Sequence, residues 1–230
     1  MKRCLTILLF TLLTVGVMEP AQAQDVGGQQ LETAIRLVQS VDDLETLVTT
    51  CPADIRYTRQ TWRDWLLGNR FEWTLSQCRA NLERCATACT TGHVGSACRA
   101  TARAFEQELD NENRMPSRQA YTLACASGNA LACTNRAAGL RNTPVDTDPL
   151  SVNQPAAFQT CLTRTFEGSC HDDDAWGCAM YAQALMNGQG TKQDTDQAQS
   201  IVRKACRLST NEVDKGTISA PCRFARRLFQ

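Results

Sequence analysis

Cysteine is the side chain with the most chemistry on offer: the 230-residue chain carries thirteen. The stretch "ACASGNALAC", residues 124–133, places two of them with seven residues between, Gly128 and Asn129 among these. Such a pair has three uses: metal ligand, redox couple or cross-link. A zinc site needs four ligands at close spacing, and here pairs recur singly without a histidine pattern. A redox couple favours C-x-x-C, and no two cysteines stand at that spacing. The cross-link is the reading that fits.

Other catalytic sets are not found. A serine hydrolase of the penicillin-binding type needs S-x-x-K and K-T-G. No serine is followed three places later by lysine, and "KGT" at 215–217 has those letters in another order. G-x-S-x-G, H-E-x-x-H and a glycine-rich phosphate loop are missing from the sequence too. The two histidines, His93 and His171, both fall between paired cysteines. "CHDDD", 170–174, reads as a solvated helix start, because aspartate suits caps and first turns. No metal, cofactor or catalytic residue is expected. Trp62, Trp65 and Trp73 form a cluster that reads as packing between an N-terminal cap and the first repeat, with an aromatic hot spot for a partner as the functional alternative.

The surrounding sequence points to export. Lys2 and Arg3 precede an apolar run from Leu5 to Val17, and Ala21-Gln22-Ala23 follows as an A-x-A cleavage site. Residues 1–23 are therefore expected to be a signal peptide. The run is too short to span about 30 Å of hydrocarbon, and no second run of spanning length follows. Cys4 lies before the apolar run, so twelve cysteines remain, an even number suited to disulfides in the periplasm or outside the cell. Lysine plus arginine equal aspartate plus glutamate at 24 each, so no basic field argues for nucleic acid or anionic membrane.

The cysteines also keep a period. Cys89, Cys125 and Cys161 stand 36 apart, as do Cys170 and Cys206, and a fixed interval of that size marks stacked repeats. A second set opens "CRATARAF" at Cys98, "CTNRAAGL" at Cys133, "CAMYAQAL" at Cys178 and "CRFARRLF" at Cys222. Positions zero, four and seven of these strings share a helical face, and position seven is Phe105, Leu140, Leu185 or Phe229. Each unit thus reads as two helices. In the clearest, helix A covers about 174–186, Asn187-Gly188-Gln189-Gly190 breaks it, and helix B begins near Asp194 or Thr195. The first cysteine of a pair ends one helix B and the second opens the next helix A. The turn between them brings their Cβ atoms together. The expected staples are Cys89–Cys98, Cys125–Cys133, Cys170–Cys178 and, over a longer loop, Cys206–Cys222. Cys51, Cys78, Cys85 and Cys161 remain, with Cys51 to Cys78 or Cys85 favoured.

The stretch "DAWGCAMYAQALMNGQGTKQDTDQAQSIVRKAC", 174–206, resembles the Sel1-like repeats, tetratricopeptide-like units, in the cysteine-rich exported form of the Helicobacter cysteine-rich proteins. The resemblance covers about 85–230 and is strongest in the last third. It implies an all-α fold, an α/α solenoid over 86–230 preceded by a helical N-terminal cap at 24–85. It implies protein or peptide binding on a concave surface; some cysteine-rich members are linked to β-lactam binding or hydrolysis, a second reading that would extend to peptidoglycan fragments. In such a solenoid helix A lines the concave side, where Arg99, Arg103, Arg223 and Arg227 are candidates to grip a partner's acidic groups. Two departures stand out. "RNTPVDTDPLSVNQP", 141–155, is expected as loop up to Pro155, and a long helix is expected from there to Cys170, because Ala157, Phe158, Cys161, Leu162 and Phe166 share a face. "STNEVDKGTISAP", 209–221, is a polar insertion.

Overall fold

The computed structural model describes residues 21–55, 72–110, 112–144, 146–153, 157–209 and 219–230. Residues 1–20 of the expected signal peptide, Trp62, Trp65, Pro155 and most of the 209–221 insertion lie outside the described residues. Every regular element among the described residues is a helix, thirteen in all. They are α1 (Ala21–Gln39), α2 (Leu44–Thr49), α3 (Pro52–Ile55), α4 (Leu75–Ala80), α5 (Leu82–Thr90), α6 (Gly95–Glu108), α7 (Met115–Ala126), α8 (Ala130–Asn142), α9 (Pro149–Asn153), α10 (Phe158–His171), α11 (Ala175–Asn187), α12 (Thr195–Ser209) and α13 (Ala220–Arg227).

From α5 onward the long helices pack in chain order: α5 on α6, α6 on α7, α7 on α8, α8 on α10, then α11, α12 and α13 in turn. Contacts also skip one neighbour, α5 to α7, α8 to α11 and α11 to α13. The sequence strings explain the faces buried. Ala102 and Phe105, Ala137 and Leu140, and Ala182 and Leu185, at positions four and seven after their cysteines, are all buried. The last unit departs: Arg226 is exposed and Phe229 is 38% exposed, because α13 ends at Arg227. Small side chains at position four let neighbouring helices approach closely. Gly177 shows how closely: a Cβ there would come within 2.7 Å of the Ser169 Cβ on α10.

The turns between stapled helices share one construction. Five residues before the second cysteine, the backbone turns left-handed, at His93 (φ 51°), Gly128 (φ 83°) and Asp173 (φ 60°). The next residue starts the following helix. Asn129 accepts from Ala132 N at 2.9 Å and Asp174 from Gly177 N at 2.7 Å, satisfying donors that have no partner in the first turn. The Asn129 and Asp174 amides also close back on Ala124 O and Ser169 O, both at 3.0 Å. This geometry sets three staples: Cα–Cα is 4.5 Å for Cys89–Cys98, 4.6 Å for Cys125–Cys133 and 4.4 Å for Cys170–Cys178; Cys206–Cys222, whose turn lies outside the described residues, has its Cα atoms 4.5 Å apart.

The N-G-x-G turn has two glycines with different duties. Gly188 ends α11 at φ 64°, and a Cβ on it would meet only ordinary contacts, the nearest Gln193 Cβ at 3.5 Å. Gly190, also at φ 64°, lies directly against the Gln159 carbonyl of α10, and a Cβ there would collide with it. Thr163 holds the same turn by donating to Gln189 O at 2.7 Å. Gly188→Ala should therefore cost only the left-handed penalty, about 1 kcal/mol. Gly190→Ala adds the collision and should cost about 2 kcal/mol or more. Urea denaturation of the two variants checks the difference; equal losses would remove the α10 contact as its cause.

Three expectations are corrected. Cys51 bonds neither Cys78 nor Cys85: the disulfides are Cys51–Cys161 and Cys78–Cys85. Cys78 and Cys85 lie on α4 and α5, which meet at Asn81 and bring their Cα atoms to 5.2 Å. Cys51 precedes α3, which packs on α10 and puts Cys51 Cα 5.8 Å from that of Cys161. Second, the 141–155 stretch is not loop throughout, since α8 runs to Asn142 and α9 forms at 149–153. Pro149 suits the first helical position, and Asp148 caps it by accepting from Leu150 N at 3.2 Å. Third, Ala157 does not share the buried face of α10; it is exposed, whereas Phe158, Cys161, Leu162 and Phe166 are buried.

The N-terminal helices also lie along the stack rather than only at its end. Helix α1 packs on α5 and α7, α2 on α7 and α9, and α3 on α7, α8 and α10. Their apolar side chains Val38, Leu44, Leu47, Val48 and Ile55 are buried in one cluster with Phe105, Cys125 and Cys133.

Candidate binding groove

Helices α6, α8 and α11, each carrying the second cysteine of a staple in its first turn, form the walls of a groove with α7 between α6 and α8. The hollow has a volume of about 440 Å³. Beyond Asn142 a second hollow of about 310 Å³ follows, lined by Arg141, Met180, Gln183 and Phe224 among others. Asn142 borders both.

Charge is unevenly matched along it. Arg118 of α7 is only 3% exposed and donates from Nη2 to Thr143 O at 3.1 Å and Thr143 Oγ1 at 2.6 Å. Both acceptors are neutral, and no carboxylate among the described residues stands within salt-bridge distance. Gly139 makes the space, since a Cβ there would run into the guanidinium. Burial, reinforced by the Arg136 charge, lowers the Arg118 pKa. A buried cation held only by neutral groups is costly. Arg141 is alike: it donates to Asn142 Oδ1 at 3.0 Å, points Nη2 at Met180 Sδ 2.7 Å away, and lies 5.2 Å from the Phe166 ring centre. Its pKa is lowered by burial. Arg103 stands exposed on the α6 wall. The groove's carboxylate, Glu106, accepts from the Tyr121 hydroxyl at 2.8 Å.

Arg136 is the contrasting case. It occupies the third position after Cys133, where the other units have Thr101, Tyr181 and Ala225. It is 1% exposed, pairs through both Nη atoms with the equally buried Asp148, and donates to Val48 O at 3.1 Å. One side chain thus ties α8 to α9 and to α2.

Two tyrosines act as locked donors. Tyr121 bonds Glu106, and Tyr181 bonds Glu167 at 3.0 Å. Burial, then the neighbouring carboxylate, pushes the Tyr121 hydroxyl well above its ordinary value. For the same reasons in the same order, Tyr181 is pushed up to about 12. The unfolded value is about 10. A raised folded pKa contributes stability that is complete below the unfolded value and is lost as pH rises through the folded one. The urea midpoint should therefore fall between about pH 10 and 12 in the native chain and fall less in Tyr121→Phe/Tyr181→Phe. Identical alkaline profiles would refute the assignment.

The sequence candidates are placed as follows. Of the four arginines, Arg103 lines the groove; Arg99 is half-buried and pairs with Glu72 at 3.4 Å; Arg223 and Arg227 are exposed on α13. Sequence reasoning missed Arg118 and Arg141: Arg118 sits on α7, not on the helices that carry the four arginine candidates, and Arg141 falls in the stretch expected as loop although it belongs to α8; a buried arginine also resembles a surface one in sequence. The available signal was Gly139 inside a helix, where glycine is unfavourable unless something must approach closely. Trp73 is half-buried against the core with the Arg84 guanidinium 5.9 Å from its ring centre. Trp176 is half-buried on the groove wall, 6.0 Å from Phe224. His93 and His171 lie at stapled turns, and no cluster of three metal-ligating side chains occurs among the described residues. All twelve described cysteines are bonded to one another.

These features define an all-helical chain of consecutive helices cross-linked at their turns, with an open, arginine-bearing groove. Compared with known protein families, curated proteins and solved structures, the chain shows no match.

Proposed function

We propose that the chain is an exported scaffold, a disulfide-stapled α-solenoid of the Sel1-like type, that holds a protein or peptide partner in the groove of α6, α8 and α11. The observation that carries this reading is the groove itself, whose walls are held by staples at Cys89–Cys98, Cys125–Cys133 and Cys170–Cys178. Stacked helical hairpins offer long curved surfaces rather than deep pockets. Rigid walls reduce the ordering cost of binding. Six disulfides suit an oxidising compartment, and no described helix is long and apolar enough to cross a membrane. Hydrolysis of a β-lactam or peptidoglycan fragment finds less support. The residues lining the two hollows include no serine, cysteine or histidine, and the raised Tyr121 pKa keeps that hydroxyl protonated.

The test is selection of a random peptide library on the oxidised protein, followed by NMR mapping of the bound peptides. Shifts should cluster at Asn135, Asn142, Trp176 and Gln183. Selected peptides that leave these four unchanged would reject the groove as the binding surface.

A further inference from the structure

The groove holds more positive charge than its own residues neutralise. Arg103, Arg118 and Arg141 have no carboxylate within salt-bridge distance among the described residues, while elsewhere Arg136 has Asp148 and Arg164 has Asp54. Glu106, which accepts from Tyr121, is the one carboxylate lining the two hollows and offsets only part of the charge of the three arginines. The walls between the arginines carry side-chain amides: Asn135 and Asn142 on α8, then Gln183 and Gln189. Gln183 Oε1 is buried without a hydrogen-bond partner, an acceptor awaiting a donor. Asn135 and Asn142 are two helical turns apart, about 10 Å, the reach of about three residues of extended chain. Amides that both donate and accept match a peptide backbone, and planar guanidinium forks match carboxylates.

Resting on the peptide-binding reading above, we propose that the groove takes an acidic segment: an extended stretch of polypeptide whose glutamate or aspartate side chains are received by Arg103 and Arg141, with the buried Arg118 adding positive charge behind them, while the amides hold its main chain. Glu106 disfavours a more concentrated negative charge at the same spot.

The probes are three fluorescein-labelled, C-terminally amidated octapeptides, all-glutamate, all-glutamine and all-lysine, titrated against the oxidised protein by fluorescence anisotropy. Amidation removes the terminal carboxylate, so the readout belongs to side chains. The glutamate peptide should bind at least about tenfold more tightly than the glutamine peptide, and the preference should shrink as salt is raised. Arg103→Gln and Arg141→Gln should each weaken the glutamate peptide about fivefold to tenfold and leave the glutamine peptide unchanged. Arg223→Gln and Arg227→Gln, which line neither hollow, should change neither. Arg103 is exposed, so its variant should fold; circular dichroism of each variant verifies this. Equal affinity for the glutamate and glutamine peptides overturns the proposal, as does failure of the glutamate peptide to bind, or an equal loss in the α13 variants. Glutamine-peptide binding at Asn135 and Asn142 without acidic preference would overturn it and leave the peptide-binding groove standing. Library peptides bound elsewhere would remove both.

Discussion

Replacing Cys51 and Cys161 together by alanine is expected to lower the unfolding free energy by about 4.7 kcal/mol, because the bond closes a loop of 110 residues. The chain-entropy relation rises with the logarithm of loop length, so the shorter loops closed inside it at Cys78–Cys85, Cys89–Cys98 and Cys125–Cys133 shorten the path with little effect. Removing Cys170–Cys178, separated by only 8 residues, should cost about 2.5 kcal/mol in the same relation. The long bond also has a local consequence. It joins the N-terminal helices to α10, a joint otherwise made by apolar packing and the Arg164–Asp54 pair. Scanning calorimetry should show a midpoint about 10 °C lower, and hydrogen exchange should accelerate first in residues 21–55. A loss no greater than that of the Cys170–Cys178 variant would show that the N-terminal helices are held by packing alone.

The second large effect concerns Arg136 and Asp148. Asp148→Ala leaves the arginine at 1% exposure without a counter-charge; Arg136→Met strands the carboxylate. Each should cost about 3–5 kcal/mol, the range for breaking a buried pair from one side. Removing both, as Arg136→Met/Asp148→Leu, should recover most of that loss, since no uncompensated charge remains. Val48 O and Leu150 N lose partners in the double variant, so recovery should be incomplete by about 1–2 kcal/mol. Urea unfolding of the four proteins forms a cycle that reads the coupling directly. Additive single losses would mean the two side chains do not act as a pair.

Local spacing carried a good part of the architecture. The staples at Cys89–Cys98, Cys125–Cys133 and Cys170–Cys178 were readable because each spans one turn between consecutive helices, and Cys206–Cys222 because its cysteines hold the same places at the ends of their helices. A local turn leaves its punctuation in adjacent residues: Gly128 with Asn129, Asp173 with Asp174. The 36-residue interval from Cys125 to Cys161, by contrast, does not lead to a staple, as the helix expected through to Cys170 already implied. Cys161 lies in the first turn of α10 and bonds Cys51, while Cys170, next to the last residue of the helix, makes the staple. The α9 insertion shifts the register at that point, and a period cannot reveal a shift made by inserted residues.

Helix positions, the faces they bury and the short cross-links follow from residues within a turn or two of each other, because caps, glycine turns and the 3.6-residue repeat act over that range. The Cys51–Cys161 bond, the Arg136–Asp148–Val48 junction and the arginines of the groove join segments 12 to 110 residues apart. Their pairing depends on which helix face meets which, and only the packed chain sets that: Arg118 and Arg103 carry the same group, yet Gly139 and Thr143 bury one while α6 leaves the other in solvent.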